Sequence, residues 1–212
     1  MDESPANRLC PRKMPRQQRS KATVTAIIEA TIQVLLSKGA ARLTTTDISD
    51  RAGVSVGTLY QYFPNKDALF HEVLRQHLDH IGTAMEASLL RYRGQTLAVI
   101  ANGVVADYLD AKLARIDISR ALYQLSPALE VAELQAALVV RIDTVLRHLL
   151  ESASDATIAN LDSVVFSVRT ALVGMVRMVI EEGAPPSKIG ILRRELTTLC
   201  HAYLMASGHV SH

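Results

Sequence analysis

The chain has 212 residues, 49% hydrophobic and 21% charged, which excludes a disordered polyelectrolyte and is ample for one or two packed domains. Ten Gly and seven Pro are too few for a many-turned β-sandwich or a collagen-like chain, and 4% aromatics with no Trp fit packed helices. The net charge of +2 hides an asymmetry: residues 1–66 hold ten Lys/Arg against five acids, and residues 67–212 thirteen against sixteen. A polyanion is therefore expected at the basic head and not at the body, although a solvated basic tail would give the same signal.

Cys10 and Cys200 are the two cysteines, too few for a disulfide framework or a four-thiolate zinc site. The stretches poor in charge, such as Leu97–Ala106 and Ala156–Val168 (interrupted by Asp162), fall short of the ~20 apolar residues of a membrane span. Asp2, Glu3 and the early prolines replace the apolar core of a secretory signal. A soluble, cytoplasmic protein without a membrane partner is expected.

In chain order, residues 1–19 carry Pro5, Pro11 and Pro15 among basic and polar residues and are expected to form a flexible basic arm. The arm either reaches a minor groove through its arginines or makes little specific contact. A helix is predicted over Lys21–Lys38, with Val24, Ile27, Ile28, Thr31, Val34 and Leu35 inward and Gly39 as its stop.

Residues 44–69 are the most informative. Thr44 or Thr45 can cap a short helix whose first turn carries Asp47 and whose inner face carries Ile48 and Ala52. Gly53 permits a left-handed turn. Ser55 can cap a second short helix with Leu59 and Phe63 inward; Pro64 ends it, and Asn65 can cap the next. Two short helices about a glycine turn, backed by a helix before them, make a helix-turn-helix over residues 20–66.

The outward residues of the second short helix suit a major groove. Gly57 allows close approach, Thr58 offers a hydroxyl and a methyl, Gln61 can bond adenine twice, and Val56 can touch a thymine methyl. Ser55 stands at the same helix entrance. Tyr60, Tyr62 and Lys66 suit phosphate oxygens, as do the first amides of the helix at Thr45 and Thr46. No Arg or Lys lies on this helix, so the commonest guanine contact is missing there.

The run T-x-x-D-I-x-x-x-A-G-V-S-x-G-T-L-Y-x-Y-F-x-N-K-x-x-L resembles the signature of the TetR family of bacterial transcriptional regulators, over roughly residues 20–75. Ser49 stands where that family more often has Ala, and Leu35 where its first helix often has Phe. The resemblance implies double-stranded DNA as partner and a body of about six helices that binds a small-molecule effector and dimerises.

From Lys66 a helix is predicted to about Leu90, then helices over Thr96–Leu113, Ser119–Leu125, Ala128–Ser152, Ala156–Glu182 and Ser187–Ala206, with no strand. The fold expected is all-α, about nine helices, with a helix-turn-helix head and a ligand-binding and dimerisation body over 67–212. The helix near 156–182 is apolar on more than one face, so a second partner surface is expected on it. Ala171, Val173 and Gly174 with Leu192, Leu196, Leu199 and Tyr203 suggest a four-helix seam between two copies; burial within one chain is the alternative. Leu78, Ile100, Val104, Tyr108, Leu122, Tyr123, Leu138, Ile142 and Phe166 are candidates for an apolar effector site. Arg169 either anchors a polar group there or reaches solvent or a carboxylate.

His77 and His80 lack the further ligands of a metal site, and no catalytic motif is recognisable, so neither enzyme activity nor a cofactor or metal is expected. The rival readings are an enzyme with a vestigial head and a DNA-bound factor whose body grips a protein.

Overall fold

The computed structural model describes residues 18–125 and 131–210. Nine helices are present among them: α1 (Gln18–Lys38), α2 (Thr45–Ala52), α3 (Val56–Tyr62), α4 (Lys66–Tyr92), α5 (Leu97–Leu113), α6 (Ile116–Leu125), α7 (Ala132–Glu151), α8 (Leu161–Glu181) and α9 (Pro186–Ser207). Two three-residue strands, β1 (Ala156–Ile158) and β2 (Gly208–Val210), complete the set. The arm expected over 1–19 lies outside the described residues except for Gln18 and Arg19, which open α1; the expected helix start at Ala128 also lies outside them.

The chain forms two compact units, one drawn from Met1–His77 and Asp117–Val131, the other from Leu78–Ile116 and Ala132–His212. The first unit thus extends beyond the 20–66 of the sequence expectation. Its core explains why: Ala68, Leu69, Phe70 and Val73 of α4 are buried with Ile27, Ile48, Leu59 and Phe63. On α6, Ile118 and Leu122 are buried, and Ser119 Oγ lies 2.8 Å from His77 Nε2 of α4. A histidine weighed as a metal ligand is here a hydrogen-bonded core group.

The local signals of the first unit act where they stand. Asp47 N donates to Thr44 Oγ1 at 3.1 Å, Thr58 N to Ser55 Oγ at 3.0 Å, and Ala68 N to Asn65 Oδ1 at 2.8 Å. Each cap satisfies an amide that its own helix leaves open. Gly53 turns the chain at φ 67°, and its N–H and that of Val54 return to Asp50 O and Ser49 O.

In the second unit α9 packs on α5 and α8, and α8 packs on α7. Val104, Tyr108, Ile142, Leu149, Leu172 and Leu196 are among its buried residues. Ala156–Ile158 is not the first turn of a helix, as expected, but pairs antiparallel with β2 (Ala156↔Val210, Thr157↔His209, Ile158↔Gly208). Asp155, the residue before this segment, turns to α5, accepting from Leu97 N at 2.8 Å. Its carboxylate satisfies a helix distant in sequence, so Thr157 and Ile158 are left in the extended backbone that β-branched residues favour.

The reading that every apolar stretch is too short for a membrane span is corrected at one helix. By length and composition α8 is long and apolar enough to cross a membrane. Here it buries Val164, Val165, Val168, Leu172, Val176 and Ile180 against protein, and its Arg169 and Arg177 form ion pairs with Asp143 and Glu181.

Candidate nucleic-acid interface and the body residues

Leu59 and Phe63 hold α3 by its inner face, each 0% exposed. The opposite face is presented: Gly57, Tyr60 and Gln61 are exposed, and Val56, Thr58 and Tyr62 half-buried. Around Gly57 the nearest atom to an added Cβ would be Ser55 Oγ at 3.7 Å, an ordinary contact. Among the described residues nothing requires glycine at this position. Its backbone is therefore open to close approach from outside.

The hydroxyls on this face are pre-arranged. Ser55 Oγ and Thr58 Oγ1 lie 2.9 Å apart, and Tyr60 OH lies 3.3 Å from Thr45 Oγ1 at the start of α2. The first intrahelical bond of α2 runs from Ile48 N to Thr44 O, so the amides of Thr45 and Thr46 precede it at the positive end of the helix. Lys38 Nζ bonds Asp47 Oδ1 at 2.6 Å. That bond, with the one from Thr44, holds the Asp47 carboxyl below its usual range and sets a cation beside the only acid of this turn. Lys66 is exposed, its Nζ 3.4 Å from Leu43 O. Residues 45–66 thus gather hydroxyls, amides, the amide side chain of Gln61 and the ammonium of Lys66 on one unit, a donor set suited to phosphates and base edges.

The body candidates divide. Ile100, Val104, Tyr108 and Ile142 are buried in the second unit, Leu78 and Leu138 half-buried. Leu122 and Tyr123 belong to the first unit, Leu122 in its core. Phe166 is 60% exposed, with the Arg169 guanidinium 5.3 Å from its ring centre. Arg169 Nε lies 2.7 Å from Asp143 Oδ1, its N–H directed off that line, so charge and not a directed hydrogen bond joins them. Phe166 and Arg169 are thereby engaged at an outer face, the carboxylate alternative for Arg169.

The seam candidates on α9 divide within this chain. Leu192 and Leu196 are 3% and 0% exposed and belong to the core of the body. The exposed large apolar residues of the two helices are Phe166 and Met178 of α8 and Ile191, Leu199 and Met205 of α9. Ala171, Val173, Gly174 and Tyr203 lie half-buried. A Cβ at Gly174 or Gly190 would meet nothing within 4 Å, so both backbones are open.

Sequence reasoning missed several groups. Lys112 is 5% exposed, and burial, with Arg177 near it, lowers its pKa to about 8. Asp107 accepts from Ser88 Oγ at 2.6 Å and Arg91 Nη2 at 2.7 Å. Arg141 is bound to three residues of α4, for which the glycine inside that helix, Gly82, was the available signal.

A capped helix pair about a left-handed glycine, its second member presenting an open polar face, defines a helix-turn-helix protein of the DNA-binding class. The comparisons carry this further. The family model for bacterial regulatory proteins of the tetR family matches residues 27–73, and that for the tetracyclin repressor-like C-terminal domain matches residues 96–204. The chain belongs to the TetR family of bacterial transcriptional regulators. It is similar to an HTH-type transcriptional regulator of Mycobacterium bovis, 34% identical over 116 residues, 46% of this chain and 60% of that protein. It is also similar to the regulator TtgR of Pseudomonas putida, 34% identical over 74 residues, 34% of this chain and 35% of that protein. These matches thus span about a third to three fifths of the relatives' length. Among solved structures, a transcriptional regulator from Rhodococcus sp. Rha1 aligns with a TM-score of 0.69 at 19% identity, over 89% of this chain and 99% of that one. The fatty acid degradation regulator FadR from Bacillus halodurans aligns with a TM-score of 0.67 at 18% identity, over 90% and 96%. At such identity these likenesses concern the fold alone.

Proposed function

We propose that the chain is a ligand-responsive repressor that binds a near-palindromic operator as a homodimer and releases it when a small, largely apolar effector occupies the body. The observation that carries the reading is the open face of α3, where Gly57 has no need of its own fold to satisfy. Val56, Thr58 and Gln61 read base edges; Thr45, Thr46, Tyr60, Tyr62 and Lys66 grip phosphates, and Ser55 holds the entrance of the reading helix. The two copies meet through the apolar face of α8 and α9, which sets two α3 helices roughly 34–36 Å apart in successive major grooves. The effector contacts the apolar residues of α5 and α7 about Ile100, Val104, Tyr108 and Ile142, and its binding displaces α4. A coupling of about 1–3 kcal/mol gives about 5–150-fold weaker operator binding. No catalysis or cofactor enters this reading, and the protein acts in the cytoplasm.

Fluorescence anisotropy with DNA spanning the chain's own upstream region, against random DNA at two salt concentrations, tests it. Selective binding, about a thousandfold or more over random DNA, is expected. Weak binding without preference, there and in sites selected from random sequence, would leave the head without a specific target. An effector that leaves operator affinity unchanged at saturation would remove the ligand half of the reading.

A further inference from the structure

α4 is an unbroken helix from Lys66 to Tyr92, and within it stands Gly82. Glycine is the poorest helix former after proline, and Gly82 has no positive φ to justify it. Its surroundings do: a Cβ at Gly82 would collide with Cζ, Nη1 and Nε of Arg141, which comes from α7. The guanidinium lies flat on the bare backbone of α4 at this point.

From that seat it reaches three side chains of α4. Nε and Nη2 donate to the two carboxylate oxygens of Glu86 at 2.7 and 2.9 Å. Nη1 donates to Asp79 Oδ1 at 2.9 Å, and Nη2 also to Thr83 Oγ1 at 3.2 Å. Asp79, Gly82, Thr83 and Glu86 stand at i, i+3, i+4 and i+7, one face of the helix. The bond to Arg141 holds the Glu86 carboxyl below its usual range. Single surface ion pairs contribute little, but a bidentate arginine within a charge network is the exception to that rule.

The geometry also makes the contact all-or-none. Moving one residue along a helix advances 1.5 Å and turns the face by about 100°. Such a step brings a Cβ under the guanidinium and takes both carboxylates away together. We propose that Arg141 on Gly82 is a latch that holds α4 in one axial and rotational position on α7, and that opening it lowers operator affinity. The second half rests on the operator-binding reading above. An unlatched α4 samples several positions, so the fraction of molecules with correctly placed reading helices falls, and apparent affinity falls with it.

Two variants open the latch by opposite routes. Arg141→Ala removes the guanidinium. Gly82→Ala adds one methyl that displaces it while making α4 a better helix. Spin labels at Leu90 and His148 report the α4–α7 distance without DNA; in both variants the distance distribution is expected to shift or broaden. Anisotropy is expected to give operator binding at least about fivefold weaker in both, with random-DNA binding within about twofold of wild type. An unchanged distance distribution in Gly82→Ala overturns the latch whatever the DNA result. Changed distances with operator affinity equal to or tighter than wild type overturn its regulatory role. A wild-type chain that binds no DNA selectively, with the distances changed, keeps the latch and removes the operator-binding reading and the regulatory role resting on it.

Discussion

The two units are built by different kinds of information. In the first, each turn is set by residues next to it: Thr44, Ser55 and Asn65 cap the helix that follows them, and Gly53 turns between α2 and α3. In the second, decisive contacts join residues far apart in sequence: Asp155 caps α5, Arg141 grips α4, and Lys112 is buried beside Arg177. The first unit is constrained locally, the second through its packing.

The largest expected effect on this contrast comes from the head's core. Phe63, 0% exposed, ends α3; Phe63→Ala is expected to cost about 3–5 kcal/mol in urea denaturation. It should abolish operator selectivity under conditions where most helical content survives. Leu149→Ala in the body, also at a site 0% exposed, costs about 2–5 kcal/mol. Retained selectivity in Phe63→Ala would contradict the assignment of reading to α3.

Next is Lys112. Below about pH 8 it is charged in both states, and the folded chain bears the cost of burial. Between about pH 8 and its ordinary 10.5 the unfolded chain still holds the proton and the folded chain does not, so stability rises with pH. Lys112→Met should therefore be more stable than wild type by on the order of 3 kcal/mol at pH 7, a gap that closes toward pH 10. Cys200, which burial pushes up to about 11, lowers stability above about pH 9 in both chains and cancels in the difference. A gap independent of pH would mean that Lys112 holds its proton as firmly in the folded chain as in the unfolded one.

Gly57→Ala gives a smaller but more diagnostic result. The folded chain has room for the methyl, and helix propensity favours alanine by up to about 1 kcal/mol. Thermal unfolding should move up or stay, while operator affinity falls at least about tenfold, roughly 1.4 kcal/mol. Unchanged affinity would show that DNA does not approach this backbone closely. The smallest effects separate contact classes: Lys66→Ala should weaken binding to all sequences and reduce the salt slope by about one, whereas Gln61→Ala should relax base preference by about 1–3 kcal/mol. Equal effects of both on operator and random DNA would merge the two classes.

What was legible in the sequence follows the same division. The helix-turn-helix could be placed residue by residue because caps, turn glycine and inward pairs act over four positions or fewer. The helices of the body were legible as elements, since periodicity and Gly/Pro boundaries are local too. Their partners were not. On α9 both Leu196 and Leu199 fit an apolar stripe, yet the first is core and the second is 47% exposed. A helix apolar on two sides does not say which side its own chain will cover. Asp155 carries the same residue type whether it caps the helix after it or, as here, α5. Gly82 was visible as a weak point in a helix, but the arginine it accommodates lies 59 residues further on.

Hydroxyl-radical footprinting of the operator tests binding as a pair of heads, because it reads how many copies of α3 engage the duplex and how they are spaced. Two protected stretches are expected on one face of the duplex, related by a near-palindrome and centred about 34–36 Å, or about 10–10.5 base pairs, apart. A single protected half-site, or two with no fixed spacing, would contradict a paired head held at one separation by the body.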